Sequence, residues 1–432
     1  NDINIAENCP ASNINNAIRE LMAHLKNVDT GSQALTSPSF TAMSTDTISE
    51  KTSANGVAID SVTLKDGELG TTASPVPINS SSLNGGQFGG RRNIVINGAM
   101  QVAQRGTSFS LSGTADTFIT DRFLISNSDT GAWTASQSTD SPTGFSNSLK
   151  MDCTTADTSP TFLTLMTRFE GQDLQHLKKG TSSAEKTTLS FFVKSNKTGT
   201  YIAELRDIDN NRTIGKAYTI SSADTWEQKI ITFDGDTTGA FGNDNGNSLQ
   251  IIWYLAVGSV YNSGTLATSW GSRVNANTAV GQVNLADSTD NEWYITGIQL
   301  EVGSVATPFE HRSFGEELAL CQRYYFKIQA DGSADSFALG SVINSTTTDH
   351  NVFFPVQMRS SPTAIETSGT AGDYSLSSAG TATTNSSVPV FTRATVTTAF
   401  YRSVVSSGLT AGNAGLHRAV NSSAFLAWSS EL

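Results

Sequence analysis

The sequence predicts a mainly β protein: an N-terminal short helix or coiled coil, a thin trimeric β-stalk, a jelly-roll β-sandwich and a smaller C-terminal β-sandwich. Three observations predict it. Hydrophobic residues make up 37% and charged residues 15% of the 432 positions, against roughly 45–50% and 25% in ordinary globular chains. Ser, Thr, Asn and Gly fill the difference, which suits short strands and turns with hydroxyls facing water. Beyond Arg91, apolar residues alternate with period two in segment after segment, and Gly, Asn, Asp and Ser clusters separate the segments. The clearest helical spacing stands near the start, and the 36 aromatic residues suffice to build cores.

Residues 1–30 form the first element. Pro10-Ala11-Ser12 offers a helix start, and Ile14, Ile18, Leu21, Leu25 and Val28 follow at spacings of 4, 3, 4 and 3. This is the seam of a short coiled coil, so these five residues are the expected trimerisation contacts. An amphipathic helix packed on its own domain is the plainer alternative. Residues 31–90 hold only two aromatics, Phe40 and Phe88. Short alternations (Val57/Ile59, Val62/Leu64) are punctuated by Asn55-Gly56, Asp60-Ser61 and Asp66-Gly67. One such chain cannot bury enough apolar area to offset its ordering entropy. Three intertwined chains could, which predicts a stalk with a Gly-rich hinge at 84–90; a disordered linker is the alternative.

Residues 91–312 carry the main alternation. Leu149/Met151/Cys153, Phe191/Val193, Tyr201/Ala203/Leu205, Ile251/Trp253/Leu255 and Ile298/Leu300/Val302 read as strands of an antiparallel jelly-roll sandwich. Residues 313–326 read as a connecting helix. Ser313 and Glu316 have capping-box spacing, and Leu318, Cys321 and Tyr325 share a face. Residues 327–432 return to short strands, at 337–342, 351–357, 374–376, 388–396 and 424–428, forming a second, smaller sandwich at the tip.

The formal net charge of −12, with no Lys/Arg-rich run, argues against nucleic acid as a partner. No apolar stretch approaches the ~20 residues that span a bilayer, so no membrane insertion is expected. The first residues lack the segments of a signal peptide and a starting Met, so an upstream piece is expected. The sparse, odd set of Cys9, Cys153 and Cys321 fits assembly in a reducing cytoplasm.

Catalytic patterns are missing from the sequence. His24, His176, His311, His350 and His417 fall in no His-Glu-x-x-His, and neither a Gly-x-Ser-x-Gly elbow nor a phosphate-binding Gly-x-x-x-x-Gly-Lys occurs. Carboxylate pairs such as Asp207/Asp209 and Asp234/Asp236 match either a sugar-cleaving pair or turn-forming Asp, and the latter is the simpler reading. Asp234-x-Asp236-x-Thr238-Gly239 also has the start of a calcium-loop pattern. A structural Ca²⁺ held by Asp234 and Asp236 is therefore one expectation, and an ordinary Asx-rich turn the other. Tyr261, Trp270 and Tyr374 lie in Ser/Gly/Asn-rich stretches. They are the candidate receptor-binding aromatics, with a buried anchoring role as the alternative. Trp226, Trp253, Trp293 and Trp428 are expected in cores.

The segment Gly297-Ile-Gln-Leu-Glu-Val-Gly-Ser-Val-Ala-Thr-Pro-Phe-Glu-His-Arg-Ser-Phe-Gly-Glu-Glu-Leu-Ala-Leu-Cys-Gln-Arg-Tyr-Tyr325 closely resembles one in tail-fibre proteins of tailed bacteriophages, of short-tailed type. His311 and Ser313 stand where those proteins usually carry Arg or Pro. Asn93-Ile-Val-Ile-Asn-Gly-Ala-Met-Gln-Val-Ala-Gln-Arg-Gly106 resembles the opening strand of their jelly-roll module. Gly235–Gly239 with Asn243–Gly246 is similar to a recurring loop. Residues 354–362 and 425–432 resemble their distal module, Ser12–Glu20 a virion-proximal helix, and Ile48–Gly56 a stalk repeat. The resemblance implies a homotrimeric fibre fixed to the phage tail, nozzle or an adaptor by its N-terminal end, its outer modules meeting a bacterial surface polysaccharide or outer-membrane receptor. A structural fibre elsewhere on the virion and a capsule-degrading tail spike are the alternative readings.

Overall fold

The computed structural model describes residues 10–29 and 91–432 and, between them, four two-residue strands: β1 (Gly70–Thr71), β2 (Ser74–Pro75), β3 (Ser82–Leu83) and β4 (Gly86–Gln87). Most of the expected stalk and hinge, and the side chain of Val28, lie outside the described residues. The chain divides into two units, Asn1–Ile78 and Asn79–Leu432.

In the first unit, helix α1 (Ala11–Asp29) begins directly after Pro10 and carries Lys26 in its last turn, where a cation suits the helix dipole. Ile14, Ile18, Leu21 and Leu25 are 37–61% exposed. These four side chains lie along one face of the helix and are exposed. β1 and β2 pair antiparallel.

The second unit opens with β3 and β4, an antiparallel pair. Eleven strands then build one continuous antiparallel system. They are β5 (Ser108–Phe118), β6 (Phe123–Ser138), β7 (Ser148–Thr155), β8 (Phe162–Glu170), β9 (Thr187–Ser195), β10 (Gly199–Asp207), β11 (Arg212–Ile220), β12 (Glu227–Phe233), β13 (Asn247–Val257), β14 (Gly271–Ser272) and β15 (Glu292–Val302). The order is β12-β9-β15-β7-β6-β8-β13-β10-β11-β14, with β5 beside β6. β6 turns the corner of the sandwich. Its first half pairs with β8 and its second half with β7, and Asp129 and Gly131 between them take positive φ. The inward residues of both layers meet in one core. Phe191 of β9 packs edge-on against Trp253 of β13, ring centroids 5.9 Å apart, and against Tyr218 of β11. Truncating a fully buried aromatic such as Trp253 to Ala would cost about 3–5 kcal/mol.

The segment expected as the opening strand, from Asn93, is not one. It runs as irregular backbone along β15, where a bulge at Gly297-Ile298 breaks the ladder. Side chains replace the ladder bonds. Asn93 Nδ2 donates to Ile298 O (3.0 Å), Glu310 accepts from the Arg92 and Asn93 amides (2.6 and 2.7 Å), and Glu317 accepts from the Asn97 amide (2.6 Å). A Cβ on Gly98 would strike the Ile298 carbonyl. The two longest segments carrying the fibre resemblance are therefore one clamp, folded on each other.

Helix α3 (Phe314–Gln322) follows, with Ser313 as N-cap accepting from the Glu316 amide. The capping box is half formed, because Glu316 turns to Arg91 instead. Ten strands complete the unit: β16 (Tyr325–Gln329), β17 (Ser336–Val342), β18 (Thr347–Phe353), β19 (Glu366–Thr367), β20 (Tyr374–Ser378), β21 (Thr381–Thr384), β22 (Val390–Ala394), β23 (Thr398–Val404), β24 (Ala414–Ala419) and β25 (Phe425–Ser429). They form sheets β21-β20-β24-β17-β18-β23-β22 and β16-β25-β19 over a core of Tyr374, Tyr401, Trp428 and Met358. The strand expected at 351–357 sits earlier. Pro355 cannot donate to a ladder, while the polar run Thr347–Asn351 pairs with β23.

Candidate functional site

The outer face of the β10–β13–β8–β6 layer is not simply polar. Register aligns its outward side chains into rows. Arg206, Gln250 and Arg168 stand side by side on β10, β13 and β8. Glu204, Ile252, Met166 and Leu124 form the next row. Ile202, Tyr254, Thr164, Ser126 and Asp116 form the third. The connection carrying α2 (Ser259–Asn262) and β14 folds over one end. There Tyr261, Leu266 and Ala279 cover Ile202 and Tyr254, and Tyr261 meets Phe162 edge-on at 5.4 Å. The rest stays open as a groove enclosing about 260 Å³, bordered by Asp116, Phe162, Arg168, Arg206, Tyr261 and Arg273.

Its electrostatics are uneven. Glu204 is fully buried, accepts hydroxyl protons from Thr213 and Tyr254, and lies 3.4 Å from Arg273 Nε. Burial and the Glu204 charge raise the Tyr254 phenol pKa, so it stays a neutral donor. Burial and the neighbouring Arg273 lower the Arg206 pKa, yet a guanidinium stays charged at any ordinary pH. Besides Arg273 Nε, which faces Glu204, three buried polar atoms of groove residues lack a partner: Thr164 Oγ1 and the Nε atoms of Arg168 and Arg206. Buried polar groups are normally satisfied, so these residues of the groove lining carry unspent hydrogen-bonding capacity. The groove thus offers an apolar strip (Ile252, Met166, Tyr261) flanked by donors, the combination that suits the C–H face and hydroxyls of a sugar ring.

Of the three aromatics picked from the sequence, only Tyr261 lies here. Trp270 is half-buried on another edge, its indole N–H donating to Asp234 O (2.7 Å) and its ring 5.5 Å from Lys179 Nζ. Tyr374 is wholly buried; its hydroxyl donates to Phe425 O (2.7 Å) and accepts from the Ser368 amide (2.9 Å). It is a core anchor rather than a receptor contact, and its polar neighbours are the turn it ties down. Trp226 departs from expectation the other way. It precedes β12, half-exposed, with Lys194 beside its ring and Asp140 taking its N–H at 3.0 Å. Trp253, Trp293 and Trp428 are core residues as expected.

Asp234 and Asp236 do not converge on a shared cation. Asp234 pairs with Lys186 (2.8 Å). Asp236 takes Arg212 at 2.7 and 3.0 Å and Lys179 at 3.1 Å, and Lys179 also bridges to Asp207 at 2.6 Å. Burial opposes ionisation of Asp236, but these cations prevail and hold its pKa low. These ion pairs close the loop.

The outward residues of β8 and β13 were missed in the sequence because only the inward alternation was followed. A signal was there: Leu249–Val257 is apolar on both faces, which means that something covers the second face.

No protein-family model matches the chain, and no curated protein matches it in sequence. Solved structures match parts of the chain. The enzymatically active domain of tailspike protein 4 of bacteriophage CBA120 is 16% identical with a TM-score of 0.27, over 49% of this chain and 21% of that one. The family 11 carbohydrate-binding module of Clostridium thermocellum Lic26A-Cel5E is 13% identical with a TM-score of 0.22, over 48% and 92%. The CBM22-1 xylan-binding domain of Paenibacillus barcinonensis Xyn10C is 8% identical with a TM-score of 0.24, over 50% and 100%. The chain thus spans about a fifth of the tailspike's length, and no residue role is carried over from any of them.

Proposed function

We propose that the chain is a non-enzymatic tail fibre of a bacteriophage, which attaches the virion to a bacterial surface glycan through the groove on the β10–β13–β8 face. An aromatic-edged groove whose lining includes Arg168, Arg206 and Thr164, each with an unpartnered buried polar atom, carries the glycan part of this reading. The phage part rests on the resemblance in residues 93–106 and 297–325. The exposed heptad face of α1 supports assembly with two further copies, the N-terminal end being held by the tail or an adaptor. Three grooves then bind together, and effective concentration raises avidity about 10²–10⁴-fold over one weak site.

The experiment is a binding assay of the full chain on an array of bacterial surface polysaccharides, with product sizes followed by chromatography. Retention of a subset, no shortening of the polymers, and loss of retention in Tyr261→Ala are expected. Shortened chains would move the reading to a tail spike, and no retention on any polysaccharide would remove the glycan reading. Ile18→Asp with Leu21→Asp tests the assembly: sedimentation should change from trimer to monomer, and apparent affinity should fall at least about 100-fold. A wild-type monomer would count against the fibre.

A further inference from the structure

We infer that the groove takes a glycan bearing an anionic substituent, a carboxylate or a phosphate, seated between Arg206 and Arg168 across Gln250. This rests on the glycan reading of the same groove and adds the class of sugar.

The argument begins with register. Arg206, Gln250 and Arg168 are direct cross-strand neighbours on three adjacent strands, which places the two arginines about 10 Å apart at the backbone with an amide between them. Three donors in one row match the several lone pairs of an oxyanion better than a single sugar hydroxyl. A guanidinium fork pairs two-to-two with carboxylate or phosphate oxygens.

Charge accounting points the same way. The carboxylates around the groove leave Arg206 without an ion pair, although Asp116 lies on the Arg168 side of the row. Glu204 is held by Thr213, Tyr254 and Arg273, and Asp116 accepts from Ser126 at 2.5 Å and stands 3.8 Å from Arg168. Arg206 has no ion-pair partner among the described residues, and its buried Nε has no hydrogen-bond acceptor. It also lies near a second cation, Arg273, and feels the Glu204 carboxylate, which Thr213, Tyr254 and Arg273 already share. A half-buried, unpaired guanidinium beside another is costly. An arriving anion relieves that cost, whereas a neutral sugar leaves it in place. The surrounding chain makes the local sign stand out, because the whole molecule carries −12.

The test uses the full chain and four soluble polymers in affinity electrophoresis: polygalacturonate, the same polymer after carboxyl reduction, a phosphomannan, and that phosphomannan after dephosphorylation. At least tenfold stronger retardation by one charged polymer than by its neutral match is expected, and the arm that responds tells carboxylate from phosphate. Arg206→Gln should erase the difference between each charged polymer and its neutral match, and Arg206→Lys should keep part of it. Unchanged melting of both variants guards against unfolding, and free galacturonate or inorganic phosphate should compete in the wild type. Equal or stronger retardation by the neutral polymers overturns the inference and leaves glycan binding standing. So does failure to retard on any of the four by a chain that binds uncharged array polysaccharides. A chain that binds no polysaccharide at all removes both.

Discussion

His350 on β18 lies face to face with Tyr401, ring centroids 5.0 Å apart, and 5.2 Å from His417 on β24. Both imidazoles are buried. Burial pushes the His350 pKa down to about 4, although the Asp349 charge opposes it, and burial together with His350 drives His417 well below its ordinary value. Each is thus neutral when folded, while the unfolded chain protonates it near pH 6.5. Their stabilisation is complete above that value and drains away as pH falls from 6.5 through the folded pKa. His350 alone should cost the module about 2.5 kcal/mol at pH 4.5 relative to pH 7.5. Urea denaturation at the two pH values checks this, and His350→Phe should shrink the difference by that amount. Gly340 faces the same ring across the ladder, and a Cβ there would collide with it and with the Asp349 carbonyl. Gly340→Ala should therefore destabilise by about 1–3 kcal/mol, read from the same curves. At this scale the sequence was least informative. Tyr374 and Trp226 sit in similar polar surroundings along the chain, yet one is sealed in a core and the other borders solvent. Only tertiary neighbours separate them.

The junction between α3 and β16 does more than connect. Arg323 and Tyr324 reach back to Glu170 at the end of β8, Arg323 with two bonds of 2.7 and 2.6 Å and the Tyr324 hydroxyl at 2.5 Å. Burial opposes the Glu170 charge, but these donors and Gln172 outweigh it and hold the carboxyl below its usual range. Its stabilisation is present above the unfolded carboxylate pKa and is lost as pH falls through the lower folded value. Removing the cation leaves a fully buried carboxylate uncompensated. Arg323→Met should cost about 3 kcal/mol, the low end for a broken buried pair because Arg323 is partly exposed. A single unfolding transition should then split in two. Most elements could be read from the chain because period two and turn residues are local signals: β7, β9, β10, β13 and β15 fall where alternation puts them. β23, β24 and β16 were missed: Tyr325, which opens β16, was read onto the face of the preceding helix, and β24 has few apolar residues. The opening segment from Asn93 was misread because its bonding partners, Glu310 and Glu317, lie more than 200 residues away.

Taken whole, the second unit joins two β-modules, and the joint is dense with arginine. Glu431 receives Arg105 and Arg122, which lie over the Tyr325 and Tyr324 rings. Arg359 spans from Asn245 O to the carbonyls of Ser430 and Glu431, and Arg168 donates to Leu432 O. The mainly β class was readable from composition and period. The groove was not, because it needs the register of four strands plus a folded-over connection, and neither leaves a contiguous trace. Arg168 belongs to the groove row and to the joint at once. That has a practical bearing on how the two β-modules can be separated or transplanted. A cut at residue 327 falls inside β16 and would strand Arg105, Arg122 and Arg168 without their counterparts, bending the very row meant to be inherited intact. A transplant that keeps Asn79–Leu432 together would carry grip and scaffold as one piece.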